Sequence, residues 1–519
     1  MSRSGPGATD AEADACALHS PPVATGKKLL DHMTDNERLL AQVRPADWRD
    51  PDPLSVYDLV VLGGGTAGLV CAAGAAGLGA HVALVERSSL GGDCLNTGCV
   101  PSKALIRAAR AVRAARASVD IGVTTTSRVE FSDVLRSLHE RRADLAHHDS
   151  ASRLTSLGVH VFFGAASFTG PRTIVVNGRT LRFRRAVIAT GAPPSVPSIP
   201  GLENVRYLTS ENLFEITDQP RALLVVGGGP IGCEMAQAFA LLGTAVTMVE
   251  AGPRVLQGDD AEAADLVARR LVTDGVRVLT NTPLRQISQS GAQITATFDT
   301  GSISADTVLV ATGRSANLGG LNLEKASVRH GPDGLAVDDR LRTSNHRVYA
   351  AGDVCSSLKF THAADAMARV VIQNALFHGR RRVSSLVIPW CTYTSPELAH
   401  VGTSASEAVR RGAVPITIRF ADVDRSVIDD EADGFLRVHH DRGRIVAATI
   451  VGMHAGELIG YFASAMRRDG RLSDFSQDVF PYPTVADAVR KAGDAYRRTR
   501  LTPVVLSLLS RYFALVRKM

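Results

Sequence analysis

Tyr57-Asp-Leu-Val-Val-Leu-Gly-Gly-Gly-Thr-Ala-Gly68 is the stretch that decides the fold of this chain. A short apolar run, of strand length, enters three glycines, Gly63, Gly65 and Gly68, spaced G-x-G-x-x-G, and an Ala-rich helical stretch follows. In such a unit the first glycine makes the tight turn. The second lets the backbone approach a pyrophosphate, and the third lets helix and strand pack closely. The pyrophosphate rests on the helix N-terminus, where free N–H groups and the helix dipole favour an anion. The next strand, His81-Val-Ala-Leu-Val-Glu86, ends in an acid 23 residues past Gly63, near the spacing of a ribose-binding carboxylate.

The pattern recurs. Arg221-Ala-Leu-Leu-Val-Val-Gly227 opens onto Gly229 and Gly232, and Ala245-Val-Thr-Met-Val-Glu250 again ends in an acid 23 residues past the first glycine. One G-x-G-x-x-G is weak evidence of a ligand. Two complete strand–turn–helix–strand–acid units predict two bound dinucleotides, each with an adenosine ribose. Glu250 hydrogen-bonds a free 2′-OH and repels a 2′-phosphate, which favours NADH over NADPH; Arg254, just beyond it, softens that preference.

At 519 residues the chain is long enough for about three domains. With 45% apolar and 21% charged residues it is an ordinary globular composition, which excludes global disorder. Of the 58 basic residues only seven are Lys, and the Arg are scattered rather than gathered in a block, so the net charge of +6 does not indicate nucleic-acid binding. Seven Cys, at 16, 71, 94, 99, 233, 355 and 391, are an odd number in a large chain and argue against a secreted disulfide framework. Residues 1–26 lack the charged start and apolar run of a signal peptide, and the expected location is cytoplasmic. The uncharged stretch Leu59–Val85 is long enough to span a bilayer, but its seven glycines and its strand–turn–helix–strand reading argue against a span.

Between the two units stands Gly91-Gly92-Asp-Cys94-Leu-Asn-Thr-Gly-Cys99-Val-Pro-Ser-Lys103. Two Cys five apart at the start of a helical stretch, Pro101 to Ala114, are placed to meet across its first turn. A helix N-terminus lowers thiolate pKa, which suits redox work. The alternatives are a pair of buried thiols or half a zinc site. Zinc needs further ligands at matched spacing, and the downstream His139, His147 and His148 do not supply it.

On these residues the chain resembles the pyridine nucleotide–disulfide oxidoreductases, the family of dihydrolipoamide dehydrogenase, glutathione reductase and mercuric reductase. The resemblance covers about residues 55–500, and the G-G-x-C-x-N-x-G-C-x-P-S-K motif is complete at 91–103. Ala189-Thr190-Gly191 and Ala311-Thr-Gly313-Arg314 resemble the turns that close the FAD and nicotinamide domains. Ala351-Gly-Asp353 resembles the second flavin motif, whose Asp holds the ribityl chain. The resemblance implies an α/β homodimer with FAD and NADH or NADPH as cofactors. Its parts would be an N-terminal extension over 1–54, an FAD domain over 55–200 and 335–378, an NAD(P)H domain over 201–334, and an α+β interface domain over 385–500. It further implies a redox-active Cys94–Cys99 disulfide, with Cys99 as the charge-transfer thiolate and Cys94 as the interchange thiol that meets the substrate. Lys103 would pair with Glu234 beside the flavin.

The chain departs from the family at its end. Disulfide reductases close with H-P-T-x-x-E, whose His, given by the partner subunit, is the base for the interchange thiol. Here Phe480-Pro-Tyr482-Pro-Thr-Val-Ala-Asp487 puts Tyr482 in the place of the His and Asp487 in that of the Glu. A phenol titrating near pH 10 is a poor base at neutral pH. Mercuric reductases carry Tyr at this place. Reduction of a metal ion held transiently by Cys94 and Cys99 needs no proton delivered to a leaving thiol, and soft thiolates suit Hg(II). The C-terminal Cys pair of those enzymes is missing, and Cys391 reads as a buried core thiol more readily than as an auxiliary one. The expected activity is therefore NAD(P)H-dependent reduction of a metal ion or small electrophile. A disulfide reductase is the second reading, and a membrane-associated flavoprotein without a dedicated substrate the third.

Two flanking helices complete the expectation. One amphipathic helix lies within residues 27–54, with Leu29, Leu30, Met33, Leu39, Leu40 and Val43. Another starts at Thr502-Pro503 and runs toward Met519, with an apolar face expected to pack on its own subunit rather than touch a membrane.

Overall fold

The computed structural model describes residues 34–126 and 128–519; Cys16, Leu29, Leu30 and Met33 lie outside them. The N-terminal helix runs over Asp35–Val43, where a capping box between Thr34 and Glu37 satisfies its first N–H groups and Leu39 and Val43 are buried.

Strand Tyr57–Leu62 pairs in parallel with Val82–Glu86 on one side and with the long strand Arg179–Ile188 on the other. Val159–Phe163 extends this sheet beyond Val82–Glu86, and Val348–Ala350 lies along the end of Arg179–Ile188. Strands Tyr57–Leu62 and Val82–Glu86 are covered on both faces, and that is why they read as largely apolar runs; Arg179–Ile188 is continuously buried only over Ala186–Ile188. Helix Thr66–Gly77 packs along helix Thr361–Leu376, so residues after 340 return to complete the first unit. Gly74 permits that approach, because a Cβ there would lie 2.7 Å from Ile372 Cδ1. The stretch Leu59–Val85 is thus strand, turn, helix and strand. Among the described residues no helix is long and apolar enough to cross a membrane.

The second unit repeats the design. Ala222–Val226 pairs in parallel with Ala245–Val249 and Thr307–Val310, with Val276–Leu279 and Tyr207–Leu208 at the edges. The third sheet is antiparallel, in the order Trp390–Thr392, Glu397–Gly402, Arg444–Gly452, Phe435–Asp441, Val414–Arg419. Helices Ala455–Arg467 and Asp487–Thr499 pack with it over Phe420, Phe462 and Val489. The molecule is therefore α/β, with two dinucleotide-binding folds of one kind followed by an α+β unit.

The C-terminal helix forms at Pro503–Val516, with Thr502 capping it and Pro503 in its first turn. It does not pack on its own subunit as expected, since none of its residues is buried. The core of the antiparallel unit is already covered by Val489, Ala492 and Tyr496 of the preceding helix.

Candidate active site

Both glycine turns are held by the same devices. Gly63 and Gly227 have φ of +104° and +112°, and a Cβ on either would stand 2.4 Å from the Ala189 carbonyl oxygen or 2.6 Å from that of Ala311. The turns Ala189-Thr190-Gly191 and Ala311-Thr312-Gly313 thus lean directly on the two glycine loops. A Cβ on Gly68 or Gly232 would fall 1.8 or 2.0 Å from the Gly63 or Gly227 carbonyl oxygen, so these glycines serve helix–strand packing. Gly65 and Gly229 are different: a Cβ would meet only Gly92 Cα at 3.6 Å in the first case and nothing within 4 Å in the second. No side chain caps the helices that follow, and no acid stands in their first turns. Their free N–H groups face open space, which fits the pyrophosphates of FAD and of NAD(P)H.

The two acids are fixed alike. Glu86 accepts from the Gly64 N–H at 2.6 Å and from the Ser88 N–H at 2.6 Å. Glu250 accepts from the Gly228 and Gly252 N–H groups, both at 2.7 Å, and from Gln257 Nε2 at 3.0 Å. Arg254, beside this second site, donates to the carbonyls of Leu256, Gln257 and Asp259, three bonds that hold its guanidinium on its own loop.

The dithiol segment is built against the first cradle. Gly91 and Gly92 take φ of +91° and +53°, and Gly92 presses on Gly65 so closely that a Cβ would lie 2.6 Å from its Cα. Cys94 sits in a separate short helix, Gly92–Asn96, and Asn96 ties that helix to the Leu90 and Gly92 carbonyls. Cys99 opens helix Cys99–Ala117, two residues earlier than expected. Cys94 and Cys99 stand as two free thiols rather than a disulfide, hydrogen-bonded to each other. That bond pulls the Cys99 pKa down to about 6; burial opposes it, while the Thr361 hydroxyl, 3.3 Å away, and the Lys103 charge assist. The same bond, with burial, holds the Cys94 thiol far above its usual range. One sulfur is therefore a thiolate near neutral pH, and the other keeps its proton.

Helix Cys99–Ala117 packs on helix Pro230–Leu241 of the second unit. That contact brings Lys103 Nζ to 2.8 Å from Glu234 Oε2, on a carboxylate that is otherwise buried. Glu234 Oε1 accepts from the Tyr393 N–H at 2.9 Å, and the Lys103 ammonium lies 4.6 Å from the centre of the Tyr393 ring. The pair therefore joins all three units of the chain.

One cavity of about 2100 Å³ collects these groups. It is lined by Gly63, Gly65, Glu86, Gly92, Cys94, Cys99, Lys103, Thr190, Gly191, Gly227, Gly229, Glu234, Glu250, Gly313 and Asp353. Clefts for one drug-sized ligand reach about 1,000 Å³, so the volume suits more than one large ligand. Thr190 donates its hydroxyl to the Asn317 carbonyl at 2.7 Å and so braces the turn. Asp353, its pKa raised by burial, faces Arg314 at 3.9 Å. Cys391 is half-buried: it packs against the core of the antiparallel unit and also lines the cavity, and burial raises its thiol pKa strongly.

Sequence reasoning did not single out Thr361, or Arg314 as a hub. Arg314 binds the Asp93 carboxylate of the dithiol segment and donates to the Ala192 carbonyl at 2.6 Å. Tyr482 and Asp487 are outside the cavity. Tyr482 is 77% exposed, and its hydroxyl donates to Asp424 Oδ2 at 2.9 Å, which raises its pKa further. Asp487 takes no hydrogen bond from Tyr482. It opens its helix and pairs with Arg490 and Lys491 on the next turn, leaving Asp424 as the partner of the phenol.

Comparison with known proteins agrees with this geometry. The pyridine nucleotide-disulphide oxidoreductase model matches residues 57–368, and the dimerisation domain of the same family matches 388–493. The mercuric reductase of Staphylococcus aureus is 33% identical over 446 residues, covering 84% of this chain and 82% of that protein. The dihydrolipoyl dehydrogenase of Mycoplasma pneumoniae is 30% identical over 454 residues, covering 84% and 98%. Among solved structures, the HOCl-induced flavoprotein disulfide reductase RclA of Escherichia coli superimposes with a TM-score of 0.76 at 27% identity, over 84% of this chain and 99% of that one. LpdA of Mycobacterium tuberculosis does so with 0.78 at 26% identity, over 86% and 100%. The chain belongs to the pyridine nucleotide-disulphide oxidoreductases, a family of enzymes whose members use FAD and NAD(P)H as cofactors.

Proposed function

We propose that this protein is a homodimeric NAD(P)H oxidoreductase that reduces a soft metal ion of the Hg(II) kind, or a small electrophile, at Cys94 and Cys99. In this reading residues 55–200 with 335–378 hold FAD, 201–334 hold the nicotinamide cofactor, and 385–500 form the dimer interface. When bound, NAD(P)H supplies a hydride and FAD carries two electrons to the dithiol side. The glycine cradles hold the two pyrophosphates, Glu86 and Glu250 the two riboses, and Asp353 the flavin side chain. With Arg254 turned onto its own loop, Glu250 faces the second ribose unopposed, which favours NADH.

The observation that carries the substrate reading is the state of residue 482. A disulfide substrate releases a thiolate that needs a proton, and a phenol held above its ordinary pKa by Asp424 is a poor group to cycle that proton. A metal ion makes no such demand. Cys99 would meet it as a thiolate and Cys94 would give up its proton on binding; two electrons that FAD, once reduced by NAD(P)H, would supply convert Hg(II) to the neutral metal, both S–Hg bonds break, and the two sulfurs are left as thiolates. The Lys103–Glu234 ion pair fixes the ammonium, whose charge lowers the Cys99 pKa. The 33% identity to a mercuric reductase supports the same reading.

The test is NADH and NADPH oxidation by purified enzyme with Hg(II)–thiol complexes and with a panel of disulfides. Hg(II)-dependent oxidation that exceeds the disulfide rates and is lost in Cys94→Ser supports the proposal. Brisk turnover of a disulfide with no Hg(II)-dependent oxidation overturns it.

A further inference from the structure

The helix Pro503–Val516 stands clear of the rest of the chain. Val504, Leu508, Tyr512 and Leu515 are 69, 59, 58 and 63% exposed, whereas each other described α-helix of eight residues or more buries apolar residues. At about 100° per residue, Leu506, Leu508, Leu509, Tyr512, Phe513 and Leu515 fall within one arc of roughly 200°. Ser507, Ser510, Arg511, Arg517 and Lys518 occupy the remaining side.

The charge is equally segregated. The last 25 residues contain Arg497, Arg498, Arg500, Arg511, Arg517 and Lys518 and no Asp or Glu. These six account for the whole formal charge of +6, and the first 494 residues hold 52 basic and 52 acidic groups. An apolar arc this wide exceeds the stripe of about 100° that a helix uses to pack on a protein core. Pairing it with a second copy would also bring two cationic segments together. A wide apolar face beneath a purely cationic one matches an anionic bilayer surface, where the apolar side enters the headgroup–acyl boundary and the cations meet lipid phosphates. At about 21 Å the helix is too short to span a hydrocarbon core of about 30 Å, so it lies in the surface plane.

We propose that the Pro503–Val516 helix docks this enzyme peripherally onto anionic lipid. The inference rests on the exposure, apolar arc and charge of this segment and is independent of the substrate assigned above. The experiment is flotation of the FAD-loaded full chain with vesicles of equal parts phosphatidylglycerol and phosphatidylcholine, and with phosphatidylcholine alone. Binding to the anionic vesicles is expected. It should weaken by at least about tenfold in the triple variant Arg511→Glu, Arg517→Glu, Lys518→Glu, and similarly in Leu508→Asp with Leu515→Asp. Neither variant touches a buried position, so NAD(P)H oxidation and the unfolding midpoint should match wild type. Failure to float, or equal flotation of wild type and variants, overturns the proposal. So does a helix-dependent rise in mass by sedimentation without lipid binding, which would assign the face to a second copy of the chain.

Discussion

Cys99 owes its low pKa to three donors placed around one sulfur: the Cys94 thiol, the Thr361 hydroxyl and the Lys103 charge, working against burial. Its thiolate is lost as pH falls through about 6, while the Cys94 thiol is held above its usual range by the same interaction and by burial. Thr361→Val removes one donor without opening a large void. A hydrogen bond to a charged group contributes about 1.5–3 kcal/mol, so the Cys99 titration should move from about 6 toward 7 or above. Thiolate absorbance followed against pH in the reduced protein checks this, and an unchanged titration would show that Thr361 merely neighbours the sulfur. Thr361 was invisible in the sequence because it lies 262 residues from Cys99, and only the return of helix Thr361–Leu376 to the first unit brings them together. Cys94, Cys99 and Lys103 were legible because their spacing is local, and local spacing survives in a linear reading.

Among the elements, the two glycine loops separate packing from binding within six residues. Gly232→Ala drives a Cβ to 2.0 Å from the Gly227 carbonyl oxygen, on backbone that cannot yield cheaply. It should cost about 3 kcal/mol or more and lower the unfolding midpoint. Gly229→Ala meets nothing within 4 Å, and its backbone is extended, so stability should stay within about 0.5 kcal/mol. Its methyl group instead enters the space left for the pyrophosphate, and the KM for NAD(P)H should rise about tenfold or more. Thermal unfolding and steady-state kinetics on the two variants read the split; a matched loss of stability in both would remove Gly229 from the binding role. These loops were legible because glycine itself encodes the positive φ and the clearance. The C-terminal helix was legible only as a helix. Amphipathicity shows that an apolar face exists but not what covers it, and the expected cover on its own subunit is absent.

At the scale of the whole molecule, Tyr482 poses a geometric problem. In its own chain it is exposed, tied to Asp424, and outside the cavity that holds Cys94 and Cys99. In the proposed homodimer, its place in the dimerisation domain would set it at the partner subunit's dithiol, and each site would be completed by two chains. The sequence signalled the substitution of His by Tyr but not its orienting group. Asp424 is 58 residues away and is delivered by a separate short helix, while Asp487, nearer in sequence, is paired with Arg490 and Lys491 one turn along. A complementation experiment separates the two geometries. Homodimers of Cys99→Ser should be inactive, and homodimers of Tyr482→Asp should be impaired wherever the phenol contacts substrate. A mixed dimer of one chain of each kind contains one site with native Cys99 facing the native Tyr482 of the other chain. Co-expressed with separate tags and purified as the mixed species, it should recover about half of the wild-type turnover, since one of its two sites is whole. If Tyr482 served the dithiol of its own chain, the mixed dimer would contain no intact site, and its activity would remain at the mean of the two parent homodimers.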